Sequence, residues 1–256
     1  MNSLFLAWQD VGPSRAWFPI GRLDADLTQP RFVFGYTHGA EQAAELAGLR
    51  PLESFPDFHR IYESSELFPL FRNRVMESSR VDFTEYLRQL DIDPSEANPI
   101  SILSVSGGKR QTDNLEVFPK IERQYDGSFR SRFFLHGCRH TSPAAQQAVA
   151  NLQPGDALRV ALELNNPATR QALQVQTTDY HMIGWAPRYL ITDLNRAIDD
   201  SPDAVVGHVI KVNPAPAPAN QRVLVELRGR LPEGVSPMSD WNFQLISSAK
   251  TGSRLG

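Results

Sequence analysis

The chain has 256 residues, 41% of them hydrophobic, and a formal net charge of −3. That length allows a buried core in one large domain or two small ones. The slightly acidic balance excludes a nucleic-acid coat held by bulk charge, so any nucleic-acid contact must be local and short.

The first residues, MNSLFLAWQDVG, lack the basic start and long apolar core of a signal peptide. No apolar run approaches the ~20 residues needed to span a bilayer. A cytoplasmic protein without a membrane partner is expected. Residues 4–8, 16–23 and 32–36 read as three strands of a small antiparallel sheet. Residues 40–48 read as a short helix stopped by Gly48, and a second helix is expected over 82–90. Gly21-Arg22-Leu23, followed by Phe68-Pro69-Leu70-Phe71-Arg72-Asn73, is similar to the N-terminal subdomain of HipA-type kinases. The resemblance implies a domain over residues 1–97. It implies no kinase chemistry, because no phosphate-cradling Gly-rich loop with a following Lys and no paired acidic motifs accompany it.

Asn98-Pro99 reads as a domain boundary. Residues 98–130 are then a connecting strand, 100–105, and a hairpin built from 115–121 and 128–134 around Tyr125-Asp126-Gly127. Its six bases, Lys109, Arg110, Lys120, Arg123, Arg130 and Arg132, outnumber its four acids, Asp113, Glu116, Glu122 and Asp126.

Residues 133–190 read as a β–α–β unit. A buried strand over 133–139 is followed by a helix that Ser142 caps and Pro143 opens. Pro154-Gly155-Asp156 stops that helix. Leu158, Val160, Leu162 and Leu164 alternate with Arg159, Ala161 and Glu163, as on a strand with one apolar face. Asn165-Asn166-Pro167 is a turn, and 172–176 and 182–185 are short strands. Pro187 and Arg188 open a helix whose Leu190, Leu194 and Ile198 share one face. Strands over 205–212 and 222–227 follow, joined by the stiff Pro214-Ala215-Pro216-Ala217-Pro218 connector. The tail, 232–256, is expected to end in disorder.

Four landmarks in this stretch resemble the HIRAN domain: Gly137-Cys138-Arg139-His140, Leu152-Gln153-Pro154-Gly155-Asp156, Asn165-Asn166-Pro167 with the later Ala172, and Ile183-Gly184-Trp185-Ala186-Pro187-Arg188-Tyr189-Leu190. Thr169 departs from the family pattern, which often has Asp there. The resemblance implies a HIRAN-like small β-barrel with two helices over 131–231. The whole chain is then α+β and mainly β. The resemblance also implies binding of single-stranded DNA, in particular a 3′ end.

The residue chemistry agrees with that implication. Arg139 and Arg188 supply forked donors for phosphate oxygens, and His140 and Trp185 supply flat faces for a base. Asn166 both donates and accepts. The N-terminus of the helix opened by Pro187 adds unpaired N–H groups for a phosphate. Trp185 reads equally as a core residue, and the two arginines as ordinary surface charges.

His136, Cys138 and His140 would share one strand face, yet no fourth zinc ligand is evident, so no metal or other cofactor is expected. Cys138 is the sole cysteine, which excludes an intrachain disulfide and fits a reducing compartment. It has no third group to orient a base, and a buried inert thiol is the commoner case. The expected function is a non-catalytic, bacterial module for single-stranded DNA or DNA ends, with a helicase, nuclease or kinase-like toxin as a possible protein partner. The alternative is a regulatory subunit of a toxin–antitoxin or defence system that uses the HipA-like half and does not touch DNA.

Overall fold

A computed structural model describes residues 2–12, 15–167 and 169–247. The chain divides into two units, each assembled from separated stretches. Unit 1 takes residues 1–75, 107–120 and 239–256, and unit 2 takes residues 76–106 and 121–238.

In unit 1, β1 (Asn2–Gln9), β2 (Trp17–Asp26) and β3 (Arg31–Tyr36) form where strands are expected. They are joined by β4 (Tyr62–Ser64) and β5 (Leu115–Pro119) in an antiparallel sheet of order β4-β3-β2-β1-β5. Leu4, Phe5, Leu6 and Ala7 are all buried, so β1 is covered on both faces. Helix α1 (His38–Ala47) ends at Gly48, whose left-handed conformation aims its N–H at the Ala44 carbonyl. A short helix, α2 (Pro69–Arg72), follows β4. The Arg74 guanidinium, 3% exposed, pairs with Asp113 and donates to the Gly108 carbonyl. The segment 239–247 is part of this fold rather than a loose tail. His38 N donates to Gln244 O at 2.9 Å, Ile246 N to Tyr36 O at 3.0 Å, and Phe243 packs edge-on against Phe5. The disorder expected at the end of the tail falls at 248–256, outside the described residues.

Unit 2 holds helices α3 (Phe83–Leu90), α4 (Pro99–Ser106), α5 (Pro143–Asn151) and α6 (Ile191–Asp200). Its strands are β6 (Ser128–Phe134), β7 (Ala157–Asn166), β8 (Arg170–Thr177), β9 (Met182–Trp185), β10 (Val206–Val212) and β11 (Val223–Arg230). They form one sheet of order β6-β11-β10-β7-β8-β9, antiparallel throughout. The expected closed barrel is not what this strand order shows. Among the described residues, the two edges meet only at an isolated bridge, where His136 and Trp185 exchange two hydrogen bonds of 3.0 Å.

Other sequence expectations give way to the structure. Residues 100–105 form α4 rather than a strand, because Asn98 and Pro99 are a helix start. The Asn98 side chain accepts from the N–H groups of Ile100 and Ser101, and Pro99 is at the first helical position. Asn98-Pro99 therefore lies within unit 2 and is not the linker expected between a 1–97 domain and the remainder. The expected hairpin is absent. β5 pairs with β1, whereas β6 pairs with β11 in the other sheet. The proline connector is anchored as well as exposed. Asn213 and Ala217 are buried, and Asn213 Nδ2 donates to Gln89 O and Gln221 O.

Candidate functional site

The first strand of the HIRAN-like stretch stops at Phe134, not at residue 139. Gly137 enters the left-handed region (φ 69°), and Cys138–His140 becomes a single 3-10 turn beside β9. His136, Cys138 and His140 therefore do not alternate along one strand face. Among the described residues, no group of three or more His, Cys, Asp or Glu side chains is placed to hold a metal ion. Burial pushes the Cys138 thiol up to about 11, and its Sγ donates to the Leu135 carbonyl, which leaves little thiolate at neutral pH.

The five predicted site residues lie on three pieces of the unit. Arg139 and His140 are exposed on the 3-10 turn, and Arg139 Nε donates to His140 Nε2 at 3.0 Å. Asn166 ends β7, and Trp185 ends β9 half-buried. Arg188 is half-buried and partnered at the start of a second 3-10 turn, Arg188–Leu190, that precedes α6. The α-helical N-terminus expected at Pro187 is therefore displaced to residue 191, and the three-residue turn offers no helix dipole at Arg188.

Two of the five converge on a residue that the sequence reading missed. Glu163 Oε2 accepts from Trp185 Nε1 at 2.7 Å and from Asn166 Nδ2 at 3.1 Å. The sheet register makes this possible. Glu163 lies opposite Ala172, and Gln174 lies opposite Trp185, so all four share one face across β8. The small side chain of Ala172 leaves the space that an indole needs to reach β7. On the other side of the cluster, Asn166 Oδ1 accepts from Thr169 N at 3.1 Å, while the Thr169 hydroxyl donates to the Gln171 carbonyl at 2.7 Å. The amide is thus fixed in orientation, and Thr169 fills the place of the family's frequent Asp with a hydroxyl donor. Beneath Trp185 is Gly137. A Cβ there would meet Trp185 Cε3 at 2.5 Å and Cζ3 at 2.6 Å.

Burial pushes the Glu163 carboxyl up, but hydrogen bonds from Trp185, Asn166 and Gln174 outweigh it and hold the group below its ordinary 4.5. A depressed native pKa gives stability that is full above 4.5 and fades as the pH falls through the lower native value. Glu163→Ala should therefore cost about 1–3 kcal/mol, because two donors lose their acceptor in a half-buried place. Glu163→Gln should cost less and lack that acid-dependent loss. Urea midpoints measured from neutral pH down to below pH 4.5 check both expectations.

A cleft of about 490 Å³ lies elsewhere in unit 2, between α5, the start of β7 and the β8–β9 turn. None of the five residues lines it, and its ionisable groups are Asp156, Asp179 and His181, a poor lining for phosphate. The candidate site is a convergence of side chains on one face of the sheet.

In this antiparallel unit one helix follows the first strand and another the fourth. Residues 128–231 match the family model of the HIRAN domain. Solved structures that resemble the chain include the HIRAN domain of human HLTF, at 18% identity over 43% of this chain and 79% of that one, with a TM-score of 0.29. They also include a protein from Lactobacillus plantarum, at 16% identity over 41% of this chain and 100% of that one, with a TM-score of 0.30. No curated protein matches the chain. None of these findings supports the HipA likeness of residues 1–97. Within 128–231, eleven Lys and Arg stand against eight Asp and Glu, a net +3 in a chain of net −3. Among the described residues, no helix is long and apolar enough to cross a membrane.

Proposed function

We propose that this protein is a non-catalytic DNA-binding module and that its HIRAN domain takes an unpaired DNA end at the face around Trp185. The observation that carries the reading is the Trp185–Glu163–Asn166 cluster. An indole held at its Nε1 by a 2.7 Å bond is an oriented platform rather than a mobile side chain. A base stacks on such a platform without regard to sequence. Arg139 and His140, exposed on the adjoining turn, are suited to the phosphate and the neighbouring base. Arg188 adds a cation three residues beyond Trp185. Asn166, engaged on both sides, orders the site more than it reaches outward. The local excess of positive charge supports an anionic ligand in a chain whose total charge does not.

The Glu163 carboxylate bears on which end is accepted. It is ionised at neutral pH and sits behind Trp185 and Asn166, so it favours a terminal hydroxyl and repels a terminal phosphate. The test compares one single strand with a free 3′ hydroxyl, the same strand with a 3′ phosphate, and a circular single strand. Tightest binding to the free 3′ hydroxyl is expected. Equal binding of all three would overturn end recognition.

A further inference from the structure

The site around Trp185 leaves unused a second basic surface of the same domain. β6 is an edge of the sheet, paired with β11 in a register that sets Arg130 opposite Arg228, Arg132 opposite Glu226, and Ser128 opposite Arg230. On one face Phe129, Ser131, Val225 and Leu227 are buried. The other face presents Arg130, Arg132, Arg228 and Arg230, all exposed. Glu226 is saturated from two sides, by Arg132 Nε at 3.0 Å and by Arg228 Nε at 2.8 Å. Those bonds hold two guanidinium planes in place. The remaining acids lie at the rim. Asp91 stands 3.8 Å from Arg132 and 3.6 Å from Lys211, and Asp126 interacts weakly with Arg230.

Two observations point to an anionic polymer on this face. Arg130 directly opposite Arg228 is a like-charge cross-strand pair, an unfavourable arrangement, and the adjacent carboxylate of Glu226 is already shared between Arg228 and Arg132. The arginines also form a staggered row: Arg130 and Arg132, and Arg228 and Arg230, are about 6.6 Å apart along their strands, and Arg130 and Arg228 face each other roughly 5 Å across. A repeating array of forked donors suits successive phosphates better than a single carboxylate. The chain that leaves β6 leads to the proposed site. Arg130 lies six residues before His136, the bridge partner of Trp185, a reach of at most about 20 Å if fully extended.

We infer that the Arg130–Arg132–Arg228–Arg230 face is a second, sequence-blind contact for the sugar–phosphate backbone of the DNA whose end is held at Trp185. This inference rests on the DNA-binding reading. It makes that binding depend on strand length, because only a strand longer than a few nucleotides reaches both places.

The test uses the full chain, the Arg130→Gln/Arg230→Gln double variant and Trp185→Ala. Fluorescently labelled single strands of about four and about sixteen nucleotides, the range of sites on comparable β folds, are titrated over a series of salt concentrations. The double variant spares both partners of Glu226 and removes the facing like charges, so it should melt no lower than the parent. It should bind the long strand about tenfold more weakly, with a log–log salt slope shallower by about 1.4, and the short strand as the parent does. Trp185→Ala should weaken both lengths. Parent-like binding of the long strand by the double variant would overturn the second contact while leaving the end site intact. Equal weakening on both lengths would also overturn it, because the arginines would then belong to the end site. If the parent binds neither length, the DNA reading itself fails. If polyglutamate displaces the long strand at equal charge and depends on the same two arginines, the face serves an acidic protein and the inference is wrong.

Discussion

Gly137→Ala should destabilise unit 2 by about 3 kcal/mol and disable the site, although the change adds a single methyl group. Two costs combine. The backbone at Gly137 has φ 69°, where an L-residue carries about 1–2 kcal/mol of strain. The new Cβ would also stand 2.5 Å from Trp185 Cε3, so the indole must move. Movement breaks the bond to Glu163, a charge-assisted hydrogen bond worth about 1.5–3 kcal/mol. Gly155→Ala separates the two terms. Gly155 also has a positive φ, 93°, but nothing lies within 4 Å of its Cβ position, so only the backbone cost of about 1–2 kcal/mol is expected. Denaturant midpoints of the two variants should differ accordingly. Equal midpoints would mean that the packing of Trp185 on Gly137 contributes nothing.

Trp185→Ala should weaken single-stranded DNA binding by about 1–3 kcal/mol, the usual worth of one stacked base, which is roughly five- to 150-fold in Kd. Trp185→Phe should fall between that variant and the parent. It keeps an aromatic face but gives up the Nε1 donor that Glu163 orients. Changing the bases of the oligonucleotide should matter little for any of the three proteins, since every base has a face to stack. Circular dichroism and melting curves show whether each variant is folded before its affinity is read. Parent-like affinity of a folded Trp185→Ala would remove the platform from the account.

The strands β7, β8 and β9 were legible because local signals agree there. Leu158, Val160, Leu162 and Leu164 alternate, Pro154-Gly155 and Asn165-Asn166-Pro167 mark turns, and Ile183-Gly184-Trp185 is short and apolar. Helix α5 was legible from its Ser142 cap and Pro143. The misreadings come from two physical causes. Ile100, Ile102 and Leu103 form a short buried run whose periodicity does not separate helix from strand, and Asn98-Pro99 serves equally as a turn or a helix start. Likewise, Phe133 to Arg139 looks continuous until Gly137 reverses φ. The second cause is distance along the chain. β5 and the segment at Gln244 and Ile246 find partners more than a hundred residues away, and no local pattern announces that pairing.

The site was legible in its parts and not in its wiring. Trp185 and Asn166 stood out as residue types in matched landmarks. Glu163 looked like one more polar residue of an alternating strand, because its partner is two strands away across Ala172. The register of β7 on β8 and of β8 on β9 is what joins these three positions into one hydrogen-bonded cluster. The basic excess of residues 128–231 was hidden for a related reason, since the acids elsewhere in the chain reverse the sign of the total.

The central claim is that the HIRAN domain holds unpaired DNA through the face around Trp185. The most direct test titrates the full chain, at fixed salt, with one single strand and with the blunt duplex of the same sequence. The Arg139→Ala/Arg188→Ala double variant is measured in parallel. The account predicts tighter binding of the single strand than of the duplex, and a loss in the double variant that is uniform across base sequences, since phosphate contacts carry no base information. Equal or tighter binding of the duplex, or a double variant that binds the single strand as the parent does, would contradict it.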